Sequence, residues 1–149
     1  MSFNIPQKWT EPYELGIVFG IYAEPYLGVE FEALIAQIAI PTTHIVRVGD
    51  SHKHIKDKIF QFYDWSIGSH SYTDSKDIQI HLNQLFTRLN PYTDLISQFT
   101  EQGGEAYITI VWGMELASIV NVNGPLLTVE NFQQMAKYRA SLDFCYNLV

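Results

Sequence analysis

Ile40-Pro41-Thr42-Thr43-His44-Ile45-Val46-Arg47-Val48-Gly49-Asp50 is answered, after a charged interval, by Phe62-Tyr63-Asp64-Trp65-Ser66-Ile67. Pro41 stops whatever helix precedes it, because proline lacks an amide donor and clashes with the preceding turn. Residues 44 to 48 read as a short strand and Gly49-Asp50-Ser51 as a turn. Residues 60 to 67 then return as an aromatic strand antiparallel to the first. Between them, Ser51 to Lys58 is polar and reads as a long hairpin loop or a ragged extension of both strands. A hairpin set among helical patterns puts the chain in the α+β class.

Upstream, Leu15 to Ala23 is apolar on both faces, with Ile17, Phe19 and Ile21 on one and Val18 and Tyr22 on the other. That pattern predicts an interior strand. After the turn at Pro25 and Gly28, Phe31, Leu34, Ile35 and Ile38 make one helical stripe. Glu30 and Glu32 sit in its first turn, where the helix dipole favours negative charge. Residues 1–14 read as an arm: Pro6 and Pro12 oppose regular pairing, while Trp9 and Tyr13 can tack it to the body.

Downstream, Ile78, Leu82, Leu85, Phe86 and Leu89 define an amphipathic helix that Asn90-Pro91 breaks. Its continuation turns Tyr92, Leu95, Ile96 and Phe99 inward and leaves Asp94 and Glu101 outward. Ala106 to Trp112 is a strand, Ser118 to Asn123 a shorter one, and Thr128 caps a last helix lined by Val129, Phe132, Met135 and Ala136. Leu142, Phe144, Tyr146 and Leu148 alternate with polar residues as a half-buried closing strand. The expectation is a single domain over residues 1–149. Its mainly antiparallel sheet has about six strands, and three helices, one kinked at Pro91, pack on one face. Gly28-Val29-Glu30-Phe31 and Thr128-Val129-Glu130-Asn131 open helices in two similar strand-helix-strand units, a faint internal echo.

The chemistry narrows the function classes. Nine basic against sixteen acidic residues give a net charge of −7, which disfavours a nucleic-acid partner and favours a basic one. From Leu89 to Ala136 there is no Lys or Arg, so Asp94, Glu101, Glu105 and Glu115 are the expected partner-binding charges. With one cysteine there is no internal disulfide, which suits a reducing compartment. No signal-peptide pattern opens the chain and no apolar run is long enough to span a bilayer, so a cytoplasmic protein is expected.

Asp50-Ser51-His52-Lys53-His54, with His44 and Asp57 nearby, is the sharpest catalytic or metal candidate. His-x-His puts two imidazoles on one strand face, a spacing that metal sites use. Lys53, Lys56 and Lys58 crowd the same segment and would repel a dication, so neither a metal nor another cofactor is expected. His70, His81 and the hydroxyls of Ser69 to Thr73 could form a Ser/His arrangement, but no nucleophile elbow accompanies them. Cys145, on an alternating strand, reads as a buried thiol, and Trp65 and Trp112 as core anchors.

Ile40-Pro41-Thr42, Arg47-Val48-Gly49-Asp50, Trp65, Leu89-Asn90-Pro91 and Leu142-Asp143-Phe144-Cys145-Tyr146 together resemble a bacterial domain-of-unknown-function family, number 4279. The match runs from about Gly16 to Tyr146. The resemblance implies no catalytic residues, and some relatives look like immunity proteins that neutralise toxins from competing bacteria. The expected function is therefore a non-enzymatic binding protein that docks an acidic surface onto a toxin, a basic nuclease by preference. The alternative is a small metal-dependent or small-molecule-binding enzyme using His52 and His54.

Overall fold

The computed structural model describes residues 12, 14–41, 44–114 and 125–148. Its elements run β1 (Glu14–Ala23), α1 (Gly28–Gln37), β2 (His44–Val46), β3 (Tyr63–Gly68), α2 (Ile78–Leu89), α3 (Thr93–Glu101), β4 (Glu105–Met114), α4 (Val129–Lys137) and β5 (Ser141–Leu148). The five strands form one sheet in the order β2-β3-β1-β4-β5. Every pairing is antiparallel except β4 with β5. The sixth strand expected at Ser118 to Asn123 lies outside the described residues, as does nearly all of the expected arm. A 3-10 turn at Asn90–Tyr92, with Pro91 in its first turn, joins α2 to α3 as one bent helix. The class is α+β as the pattern predicts, with three helical bodies.

Strand β1 is the middle of the sheet. Its register with β3 and β4 puts Ile17, Phe19 and Ile21 on the same face as Trp65, Ile67, Ile108 and Ile110. All seven are essentially without exposure and share one cluster with Phe31, Leu82, Leu89, Ile96 and Phe99 of the helices. Burying each such side chain contributes about 1.5–3 kcal/mol, so the helix-covered face of β1 anchors the fold. Tyr138 closes the cluster. It stacks on Phe86 with ring centroids 5.9 Å apart and meets Phe19 edge-on. Its hydroxyl donates to Asn90 Oδ1 at 2.7 Å.

The hairpin forms as expected but is ragged beyond β2 and β3. Gly49 N donates to Phe60 O, Phe60 N to Asp50 O and His52 N to Lys58 O. The Arg47-Val48-Gly49-Asp50 turn explains its own sequence. Asp50 N donates to Arg47 O and Asp50 Oδ2 accepts from Arg47 N at 2.8 Å. Gly49 takes φ 92°, a region that other residues rarely adopt. The Arg47 guanidinium then reaches Glu32 on α1 through two bonds of 2.6 and 3.3 Å. Both side chains are about half exposed, so the pair adds at most about 1 kcal/mol and serves to orient the turn.

Three expectations need correction. On α4, Asn131 and Met135 are buried, whereas Val129, Phe132 and Ala136 are exposed. The cap chemistry rotates the helix. Thr128 and Asn131 form a reciprocal capping box, and Asn131 also exchanges two amide hydrogen bonds with Gln79 of α2, at 2.8 and 3.1 Å. Asn131 must therefore face inward, which turns the neighbouring Phe132 out. On β5, Phe144 and Tyr146 are exposed, the strand being the last of the sheet among the described residues. For the same reason Cys145 is an exposed thiol and not a buried one.

Trp65 and Trp112 are 1% and 3% exposed, as expected for core anchors. Trp112 Nε1 is buried with no hydrogen-bond partner among the described residues, which makes the two indoles unequal. Truncating either to Ala should cost about 3–5 kcal/mol in urea unfolding. Trp112→Phe should cost only about 1 kcal/mol or less, since it removes the orphan donor while keeping a large ring. A Trp112→Phe loss as large as that of Trp112→Ala would mean that the indole N–H is paired.

Candidate functional site

The acidic residues picked from sequence do not converge on one surface. Asp94 and Glu101 are exposed on α3, two turns apart, on the helix side of the sheet. Glu101 is already engaged by Arg139 at 3.3 Å. Glu105 opens β4 and, paired with Tyr22, points from the opposite face. Glu115 lies outside the described residues.

In the histidine-rich segment the side chain of His52 is engaged locally. His52 stacks on Phe60 at 5.1 Å, and its Nδ1 accepts from the His54 amide at 3.2 Å. No group of three or more metal-ligating side chains occurs among the described residues. Ser69 and His81 do meet, but in the core. The Ser75 carbonyl lies 2.6 Å from His81 Nε2 and can only accept, so Nε2 carries the proton. Nδ1 then accepts from the Ser69 hydroxyl at 2.6 Å, and Ser69 Oγ in turn accepts from Ile17 N at 2.8 Å. Both side chains are fully buried. This is a clasp between β1 and α2, out of reach of any substrate.

The face of the sheet away from the helices holds the more informative cluster. Tyr107 of β4 lays its ring across β1 at Gly20, where a Cβ would overlap it, and donates to Asp64 Oδ1 on β3 at 2.8 Å. A side chain thus spans three strands because the middle one offers glycine. Burial pushes the Asp64 carboxyl above its ordinary value, against the opposing pull of the Tyr107 bond and the His44 charge. Burial, then the Asp64 charge, pushes the Tyr107 phenol up as well. His44 and Ser66 pair across β2 and β3 beside them.

An aromatic row leads away from this centre. Tyr22 packs on Phe62 at 5.3 Å, Phe62 on Phe60 at 5.5 Å, and Phe60 on His52. All four are half-buried. The Tyr22 hydroxyl donates to Glu24 at 3.0 Å, and its phenol is raised by slight burial and by the charges of Glu24 and Glu105. The surface is therefore aromatic along the ribbon and acidic at its base. Sequence reading missed Asp64 and Tyr107. Asp64 and Ser66 alternating with Trp65 and Ile67 was the available sign, since polar residues at period two mark a second strand face.

Two outcomes follow. With a raised native value, the contribution of Asp64 to stability is complete below 3.8 and is lost as pH rises through the folded-state value. Asp64→Asn keeps an acceptor for Tyr107, so it should raise the unfolding midpoint at neutral pH, with the gain fading in acid. A pH-independent difference would refute the assignment. Ser69→Ala should cost about 1–3 kcal/mol at any neutral pH, by stranding the Ile17 amide and His81 Nδ1.

The family whose model matches over residues 14–149 begins at the first residue of β1 and covers nearly the whole chain. No curated protein matches the chain, and no solved structure does. The chain belongs to the family described as domain of unknown function (DUF4279).

Proposed function

We propose that this chain is an immunity-type binding protein that docks the open face of its sheet onto a basic partner, a toxin domain that it neutralises. The observation that supports this reading is the half-buried aromatic row Tyr22, Phe62, Phe60 and His52 with Glu24, Glu105 and Asp64 at its base. Aromatic rings supply contact area and receive cations on their faces, and carboxylates steer and pair lysine and arginine. The net charge of −7 adds long-range attraction for the same class of partner. Asp64 strengthens the case. A carboxylate desolvated at a cost to stability, bonded to Tyr107 on the sheet face away from the core cluster, is an arrangement that a cationic side chain from a partner would relieve. No helix of the described residues is long and apolar enough to cross a membrane, and a toxin of this kind would be met in the cytoplasm.

The acidic residues of α3 belong to the other side, so the proposal separates two faces. The test is to express the toxin domain that a neighbouring gene encodes, if there is one, and to measure its association with this chain at low and high salt. Glu24→Lys/Glu105→Lys should slow association about tenfold or more at low salt and flatten its salt dependence. Asp94→Lys/Glu101→Lys should leave the rate within about twofold, because those charges flank a different surface. The reverse ranking would move the interface to α3. If no basic partner binds or is neutralised, the immunity reading fails.

A further inference from the structure

Exposed apolar residues on α4 and on β5 are not used by the core. Phe132 is 51% exposed, Phe144 43% and Tyr146 51%, with Val129 beside them on the helix stripe. All belong to the helix side of the sheet, since Phe144 and Tyr146 pair with Ile110 and Trp112. The rings of Phe144 and Tyr146 stack at 6.2 Å. Residues 143–146 are exposed in succession, so both faces of β5 meet solvent. Among the described residues β5 is the last strand, and it carries none of the lysines, prolines or bulges that usually protect an edge. Contiguous apolar surface on an unprotected edge marks an interaction site.

We infer that this edge joins a second copy of the chain, β5 pairing antiparallel with β5 about a two-fold axis to continue the sheet. The residues of β5 are self-complementary in one register. With Cys145 opposite the partner's Cys145, Phe144 faces the partner's Tyr146 on the helix side and Asp143 faces the partner's Asn147 on the other. Aromatic residues then meet across the junction, and the edge's one charged side chain, Asp143, avoids its copy. The same axis, perpendicular to the sheet, keeps both helix layers on one side and runs the two α4 helices antiparallel. Glu130 at the start of α4 is thereby brought toward the partner's Lys137 at its end, and the Phe132 side chains are covered. Charge pairing of this kind lets a chain of net charge −7 associate with itself at this edge. A basic partner would find one carboxylate on the strand and a lysine beside it. The inference is independent of the toxin-binding face, which lies on the opposite side of the sheet.

Sedimentation equilibrium of the full chain in the micromolar range should give twice the 17.1 kDa chain mass. Mild oxidation should link the chains through Cys145, and Cys145→Ser should abolish the link without changing the mass. Phe132→Lys/Phe144→Lys alters exposed positions only and should raise the dissociation constant about 100-fold or more with the circular dichroism spectrum unchanged. Asn147→Lys should tighten the dimer, because that register sets it against Asp143. A monomer throughout this range would overturn the proposal. So would a dimer that does not cross-link, or one that the lysine pair fails to weaken.

Discussion

Strand β1 has to satisfy hydrogen-bond ladders on both edges and a packing surface on its helix face, and the remaining architecture follows from that constraint. Its ten residues pair with β3 on one side and β4 on the other, so its backbone is committed along most of its length. Ile17, Phe19 and Ile21 make the helix face wholly apolar. Each successive parallel step, β1 to β2, β3 to β4 and β4 to β5, is bridged by helix on that same side. Ser69 and His81 then tie the Ile17 amide to α2. The other face of β1 carries Gly16, Val18, Gly20 and Tyr22.

That second face shows how one glycine shapes a surface. At Gly20 the absent side chain gives Tyr107 a path across the middle strand to Asp64. The phenol satisfies one carboxylate oxygen and so opposes, without cancelling, the rise in proton affinity that burial imposes on the group. Stability alone does not favour an acid in this position. The cost is understandable if the face acts on a cationic group, and the aromatic row beside it extends the same logic.

The motifs that carry the family likeness divide along the same line. Arg47, Gly49 and Asp50 build a turn and clasp it to α1. Trp65 fills the core, and Asn90 receives the Tyr138 hydroxyl at the bend before Pro91. These are reasons of folding. The last motif, Leu142 to Tyr146, is split: Leu142 packs against the core, whereas Asp143 to Tyr146 is exposed on the last strand among the described residues. A surface contact accounts for the exposed part better than the core does.

Local patterns determined much of this protein from sequence. Period-two and period-3.6 hydrophobicity located the five described strands, the helices and the bend at Pro91, because burial of a single face imposes those periods directly. Three features depended on tertiary structure. The rotation of α4 was set by the reciprocal hydrogen bonds between Asn131 and Gln79, 52 residues away, which overrode the stripe of Val129, Phe132 and Ala136. The exposure of Phe144, Tyr146 and Cys145 followed from strand order, and alternation along one strand carries no information about which strand ends the sheet. Asp64 and Tyr107 came together only because β1 lies between them, with glycine at the crossing point. Sequence fixes which side chains share a strand face. Only the assembled sheet decides which faces are covered, which edges are left open and which distant groups meet.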